Sequence, residues 1–470
     1  MSTAIVWFRR DLRLTDNSAL RAALASADSV LPVYIHDPAA DREWAPGAAS
    51  RWWLHHSLSA LDAALRASGS RLVIRSGDTA DELRALIAAT GATQLHWNRL
   101  YEPRIMQRDA SLKATLHETG IGVESHAGCL LHEPVQLQTG NGQPFRVFTP
   151  FWKVFLRDVV PAAPVVAPRK LPAPQNWPGS VSLQSLRLLP AQDWADGFSG
   201  WWTPGEAGAL QQLRSFLKRA IGRYQSGRDY PSRTDVSYLS PHLHFGELSP
   251  RQIWHAVRGF AVGRAVFEAD AQAYLRELGW REFAHHVLFN FPHTPNEPMY
   301  EKFRDFPWRK NYSELLRAWQ QGCTGYPIVD AGMRELWATG WMHNRVRMIV
   351  ASFLVKNLRI PWQEGARWFW GTLVDADLAN NTMGWQWSAG CGADAAPYFR
   401  IFNPVLQSKK FDPDGEYLHR WLPELANLDG EALHAPWTHS TIDFPKPIVD
   451  YKASPEQALA AYARIKVNGD

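Results

Sequence analysis

The residues best suited to chemistry in this 470-residue chain lie between Gly340 and Arg400. The stretch opens GWMHNRVRM, runs through an apolar helical pattern and closes DADLANNTMGWQWSAGCGADAAPYFR. Asp375, Asp377, Asn380 and Asn381 stand close to Trp385 and Trp387, with Arg345 and Arg347 upstream. Carboxylates, amides and guanidinium groups set among aromatic rings suit a buried planar ligand with a polar tail. The competing reading is a Trp-rich core edged by surface ion pairs. The density of polar groups amid the aromatics argues against it.

Other stretches offer weaker signals. YQSGRDYPSRTDVSYLSPHLHFGE, from Tyr224 to Glu247, gathers Gly, Ser, Thr and Asp just before a helix start at Ser249-Pro250. Hydroxyls and free backbone N–H groups at a helix start hold phosphate well, although an ordinary capped connection has the same composition. His242 and His244 lack a third or fourth ligand at metal spacing and are expected to pack. In YLRELGWREF, which begins at Tyr274, Glu277 and Trp280 are three apart and share a helix face. A carboxylate beside a Trp can bond and stack on a base; a surface ion pair beside a buried Trp is the plainer alternative. GYPIVD, from Gly325, reads as a structural turn before a helix. Trp308, Trp362 and Trp385 lie in different elements, and together they could form a relay from surface to pocket.

These groups need a scaffold, and the sequence describes two. The first part alternates strands at Ala4–Phe8, Val30–Ile35, Arg71–Arg75 and Thr93–Trp97 with helical patterns. The helices are Ala19–Leu24, Trp52–Leu65, Glu82–Ala89 and Arg104–Glu118, and a fifth strand starts at Gly122–His126. Such alternation predicts an α/β domain over residues 1–130, a Rossmann-like parallel sheet with helices on both faces. WFRRDLRLTDN follows the first strand where a GxGxxG phosphate turn would stand, so a dinucleotide held by that turn is not expected. Residues 131–203 lose the periodicity, and PAAPVVAPRKLPAPQNWP reads as an extended interdomain linker. From residue 204 to 470 the pattern is helical: Leu210, Leu213, Leu217, Ala220, Ile221 and Tyr224 recur at helical spacing, as do Val346, Ile349, Val350, Phe353, Leu354 and Leu358. An all-helical second domain is expected.

Composition sets outer bounds. Hydrophobic content of 46% with 20% charged residues describes a globular, water-soluble chain. Net charge of +4 permits nucleic acid as partner without arguing for it. The 23 Trp are the anomaly, and point to an aromatic-lined pocket or to rings used in redox chemistry. Cys129, Cys323 and Cys391 are far apart and odd in number, as in a reducing cytoplasm. MSTAIVWFRR lacks a basic region before an apolar run, so no secretory signal is expected, and no run is long enough to cross a bilayer.

Four long motifs, in order, carry a family resemblance: WFRRDLRLTDN, LSPHLHFGELSPRQIW, TGYPIVDAGMRELWATGWMHNRVRM and DADLANNTMGWQW. On these the chain resembles the photolyase/cryptochrome family from end to end. The resemblance implies an α/β domain able to hold an antenna chromophore and a helical domain holding FAD. Carried over residue by residue, it implies that Tyr224, Ser237, Leu239 and Ser240 line the FAD phosphate loop. Arg281, Arg347, Asp375 and Asp377 would hold the phosphates, ribityl chain and ring edge, with Asn381 facing flavin N5. Trp385, Trp362 and Trp308 match the relay that photoreduces the flavin. The loop after Trp308 looks one residue longer than in common members, and Val236 and Tyr238 replace the usual Thr and Arg of the phosphate loop.

The same resemblance addresses activity. Asn381 stands where plant cryptochromes place an Asp, and an amide cannot give the flavin a proton as that Asp can. Trp280, Met348 and Trp387 likewise follow the photolyase pattern, and no long signalling tail is expected beyond the family core. Asn344 stands where (6-4) photolyases carry the second His of a pair. The pattern resembles bacterial class III photolyases acting on cyclobutane pyrimidine dimers, with a cryptochrome-like blue-light photoreceptor and a (6-4) photolyase as alternatives. Glu277, Trp280, Asn344, Met348 and Trp387 would meet the lesion, and Arg228 and Arg345, with Lys409 and Lys410, the phosphates of UV-damaged DNA. The antenna implied by analogy is 5,10-methenyltetrahydrofolate, with an 8-hydroxy-deazaflavin as alternative, near WNRLYEPR. A cytoplasmic monomer is expected.

Overall fold

The computed structural model describes residues 2–40, 42–190, 193–395, 399–438 and 443–467. The first domain is β1 (Thr3–Phe8), α1 (Ser18–Ser26), β2 (Ser29–His36), α2 (Ala48–Ala67), β3 (Val73–Ser76), α3 (Thr79–Thr90), β4 (Gln94–Asn98), α4 (Pro103–Glu118) and β5 (Gly122–His126). The sheet runs β3-β2-β1-β4-β5, and every pair is parallel. The central strands β1 and β2 are buried on both faces, which is why they read as continuous apolar runs. Ile5, Trp7, Leu95, Trp97 and Val123 pack against Leu83, Leu86, Leu112 and Leu116 of α3 and α4. Ala4, Val6 and Phe8 pack on the other face with Leu20 of α1 and Trp52, Trp53 and Leu58 of α2.

The segment after β1 holds the domains together. Arg13 is 1% exposed and donates to the carbonyls of Gly246, Asp16 and Gly128. Leu14 and Thr15 donate to Glu206, and Leu12 donates to the Phe245 carbonyl. Gly246 has φ +64°, and a Cβ there would sit 2.1 Å from the Arg10 carbonyl oxygen. Only glycine tolerates both conditions.

The connecting segment, expected to be an extended linker, contains a helix: α5, Phe148–Asp158. Phe148, Phe151, Trp152 and Phe155 are buried on one face of it. The proline-rich stretch that follows is irregular, as its composition implies.

The second domain begins with α6 (Glu206–Arg219), α7 (Tyr224–Gly227), α8 (Ser240–His244), α9 (Pro250–Ala261) and α10 (Glu268–Asn290). It continues with α11 (Ser313–Gln321), α12 (Pro327–Thr339), α13 (Asn344–Ser352), α14 (Trp362–Thr372) and α15 (Leu378–Ala389), then α16 (Pro404–Phe411), α17 (Glu416–Trp421), α18 (Gly430–His434) and α19 (Ser454–Val467). No strand follows β5 among the described residues. Ser249 closes a capping box with Gln252 at the start of α9, which satisfies two orphan donors. Asp330 explains the GYPIVD turn: its buried carboxylate accepts from the backbone of Thr324 and Gly325 and from the Thr324 hydroxyl.

Candidate functional site

Helices α7, α8, α10, α13 and α15 surround one cavity of about 690 Å³. That volume suits a cofactor or cofactor-plus-substrate site. Tyr224, Ser237, Ser240, Arg281, Arg347, Asp375, Asp377 and Asn381 all line it. So do Arg228, Glu277, Trp280, Asn344, Arg345, Met348, Trp385 and Trp387. Residues more than a hundred positions apart thus converge on one space.

Leu239 is the exception. It is 0% exposed and packs in a core cluster with Leu213 and Phe216, away from the cavity lining. Its polar contribution is a backbone N–H donated to the Ser237 hydroxyl at 3.3 Å. An apolar side chain in a polar loop is used here as an anchor. Val236 and Tyr238, which depart from the common motif, do line the cavity. Tyr238 adopts φ +54° and packs on Trp341 at 4.8 Å.

Two carboxylates form the polar wall. Asp375 Oδ2 accepts from Arg347 Nη2 at 2.8 Å and from the Ser240 hydroxyl at 2.6 Å. Its Oδ1 is buried with no protein partner. Asp377 caps α15, accepting from the Asn380 backbone at 3.0 Å and from its side chain at 2.7 Å. Its other oxygen faces His244 at 3.5 Å and His285 at 3.7 Å. Burial works against the charged form, yet His285, His244 and Arg281 hold the Asp377 carboxyl well below the ordinary carboxylate range. His244 is therefore a carboxylate partner, while His242 pairs with buried Glu247.

Asn381 donates from Nδ2 to the Ala366 carbonyl at 3.0 Å. A carbonyl can face only the NH₂ end of an amide, so Oδ1 is left to act as acceptor. Trp385 is 2% exposed, 5.0 Å from Phe369 between ring centroids and 6.1 Å from Trp319. Its ring lies against Gly365, one turn past Trp362 at the start of α14. Trp362 is buried and Trp308 half-buried on Phe306 at 4.4 Å; neither lines the cavity.

Among the half-buried and exposed lining residues, Glu277 binds Arg228 at 2.5 Å. Arg345 binds Asp229 at 2.7 Å and lies over Phe411 at 4.4 Å. Trp280 stacks on Phe148 of α5 at 3.7 Å and 10°. Lys409 is tied to Glu431, and neither it nor Lys410 lines the cavity.

Sequence reasoning missed Glu335 and His343 as supports. His343 is 1% exposed; its Nδ1 accepts from the Arg345 N–H and caps α13, which starts at Asn344. Its own backbone N–H donates to Glu335 Oε2, which also accepts from the Tyr417 hydroxyl at 2.7 Å. Burial pushes the Glu335 carboxyl up to about 7 and the His343 imidazole down to about 3. The MHNR run held the signal for the cap, a polar residue just before a helix; nothing local pointed to Glu335.

Two family models match the chain: the FAD binding domain of DNA photolyase over residues 274–464, and DNA photolyase over residues 4–174. A deoxyribodipyrimidine photo-lyase of Agrobacterium fabrum is 49% identical, covering 98% of each chain. Cryptochrome-2 of Arabidopsis thaliana is 39% identical over 98% of this chain and 79% of that protein. The crystal structure of a bacterial class III photolyase from Agrobacterium tumefaciens superposes with TM-score 0.95 at 48% identity, covering 99% of this chain and 98% of that one. Matched by both models in order and alike in sequence and fold along its length, the chain belongs to the photolyase/cryptochrome family, on the side of its bacterial class III photolyases.

Proposed function

We propose that this chain repairs cyclobutane pyrimidine dimers in DNA in a light-driven reaction, as a deoxyribodipyrimidine photo-lyase. The observation that carries the reading is the shared cavity. The pair of half-buried Arg347 with buried Asp375, together with Asn381 and Trp385, lines the same space as Glu277, Trp280, Asn344, Met348 and Trp387.

The residues fit FAD. An orphaned Asp375 Oδ1, an acceptor on Asn381, and the guanidinium groups of Arg281 and Arg347 suit a flat ring system with hydroxyl and phosphate groups. Arg281, Arg347, Asp375 and Asp377 would hold it, with Tyr224, Ser237 and Ser240 along the phosphates. When bound, reduced FAD supplies on absorbing light the electron that opens the cyclobutane ring, and recovers it afterwards.

The chain's own groups bind and orient. Trp280 and Trp387 offer ring faces to the extruded dimer, and Glu277 and Asn344 offer hydrogen bonds to its polar edges. A dimer stacks and pairs poorly, so its extrusion costs less than that of an intact pair; photolyases are themselves a standard example of base flipping. Asn381 has no proton to give at its acceptor oxygen, which suits a flavin kept fully reduced. Asn344 in place of a second His removes the acid that a (6-4) photoproduct requires. Trp385, Trp362 and Trp308 are proposed to deliver electrons that reduce the flavin. Arg228 and Arg345 are proposed to meet DNA phosphates.

The deciding experiment illuminates purified protein with oligonucleotides bearing either lesion. Loss of the dimer alone is expected. No repair of either lesion would leave the photoreceptor reading, and repair of the (6-4) lesion would overturn the assignment. 5,10-methenyltetrahydrofolate is proposed as antenna, and extraction with mass analysis separates it from an 8-hydroxy-deazaflavin. The protein is proposed to act as a cytoplasmic monomer, which size-exclusion chromatography tests for oligomeric state. No helix of the described residues is long and apolar enough to cross a membrane.

A further inference from the structure

On the α/β domain, strand β4 and the edge strand β5 bring two imidazoles and a carboxylate together. His96 pairs with Glu124 across the strands, and Asn98 pairs with His126. Alternation places Gln94, His96, Asn98, Glu124 and His126 on one sheet face. That face is α1's: the Ala19 backbone donates to Asn98, and Ser26 is bonded to Gln94.

His96 is 2% exposed, with Nδ1 3.1 Å from His126 Nε2. Glu124 Oε2 lies 3.9 Å from His126 Nε2, and one ligand atom of each of the three residues falls within 4.8 Å of the others. The protonation of His96 is set by its neighbours. Gln94 Nε2 donates to the Ser26 carbonyl at 3.2 Å, which fixes Gln94 Oε1 as an acceptor. That oxygen sits 3.1 Å from His96 Nε2. His96 therefore carries its proton on Nε2 and turns the lone pair of Nδ1 towards His126.

The geometry points to a binding site for one divalent transition-metal cation of the zinc class, held by His96 Nδ1, His126 Nε2 and the Glu124 carboxylate, with water completing the shell. Tetrahedral zinc with Zn–N of about 2.0–2.1 Å sets its two nitrogens roughly 3.3 Å apart, close to the spacing found. Two nitrogen donors select this class over calcium or magnesium. In the metal-free pair His126 donates its Nε2 proton to His96. On binding, that proton moves to His126 Nδ1, so the ring changes tautomer without releasing a proton. The opposing charges near His126 are Arg99 and Lys113. Arg99 is neutralised by Glu133 at 3.1 Å, and Glu124 adds a negative charge beside the rings. A bound cation would fasten the edge strand to the rest of the sheet, so it stabilises the fold by an amount that grows with the logarithm of free cation above its Kd.

The test uses the full-length flavoprotein, stripped with chelator and titrated with zinc chloride by calorimetry and thermal melting. One zinc per chain and a rise in Tm with zinc are expected. Glu124 has a largely exposed side chain, so Glu124→Gln and His126→Gln should keep the fold while each weakens zinc binding more than tenfold. Gln94→Ala should weaken it about 10–100-fold by releasing the His96 tautomer. Cobalt in place of zinc should give tetrahedral visible bands that vanish in His126→Gln. Wild-type zinc affinity in the Glu124→Gln/His126→Gln double variant, or no saturable zinc binding in the wild type, would overturn the site.

Discussion

Arg228 and Glu277, 49 residues apart, meet at 2.5 Å in the wall of the cavity. The pair means that the carboxylate proposed to bond the lesion is already oriented, with one oxygen engaged. Removing it does two things at once: it deletes an acceptor and leaves a half-buried guanidinium without its partner. Glu277→Ala is expected to weaken binding of a dimer-bearing oligonucleotide by about 1–3 kcal/mol. Glu277→Gln, which keeps an acceptor, should lose less. Equilibrium titration by fluorescence anisotropy checks both, and unchanged affinity in the Ala variant would remove Glu277 from the lesion site.

Trp385 is enclosed by Phe369, Trp319 and Gly365. Trp385→Phe should slow flavin photoreduction strongly, yet leave repair by chemically reduced enzyme nearly intact. Gly365→Ala offers an independent probe. Its Cβ would lie 2.0 Å from the Trp385 ring, so the ring must shift. Overpacking of this kind costs about 1–3 kcal/mol. Thermal melts and photoreduction rates of the two variants separate lost electron transfer from lost packing.

Arg345 is shared between Asp229 and the face of Phe411. If it also meets a phosphate, Arg345→Ala should weaken DNA binding to damaged and undamaged duplex alike. It should also reduce the slope of log K against log salt by about 1. A salt series for each duplex checks this, and an unchanged slope would confine Arg345 to a structural role.

Glu335 gives a pH signature. Burial raises its folded pKa to about 7 from an ordinary 4.5. Between those values the folded protein holds a proton that the unfolded chain has released, so this group lowers stability as pH rises through that window. Glu335→Gln keeps an acceptor for Tyr417 without titrating. Its Tm relative to wild type should therefore climb from pH 5 to pH 7 and then level off. A difference flat with pH would show that Glu335 is charged throughout.

Much of the fold and site was legible where the physics is local. Strands β1 and β2 are apolar because both faces are covered, and α9 begins where its capping residues stand. The polar groups around Asp375 do line one cavity. What escaped was set by tertiary pairing. The Arg345–Asp229 contact spans 116 residues, and no spacing rule reaches that far. The family resemblance set Leu239 among the residues lining the phosphate loop, yet the core takes its side chain. Helix α5 did carry the right period in Phe148, Phe151, Trp152 and Phe155, but its partner α10 lies more than a hundred residues downstream.

That helix has a practical meaning for protein engineering. Phe148 backs Trp280, and a Cβ on Gly279 would run into the Trp152 ring at 2.4 Å. A chimera that grafts a foreign α/β domain onto this helical domain should therefore splice before Phe148. A junction placed near residue 203 would bring in another protein's α5, and with it a new backing for the indole proposed to receive the dimer.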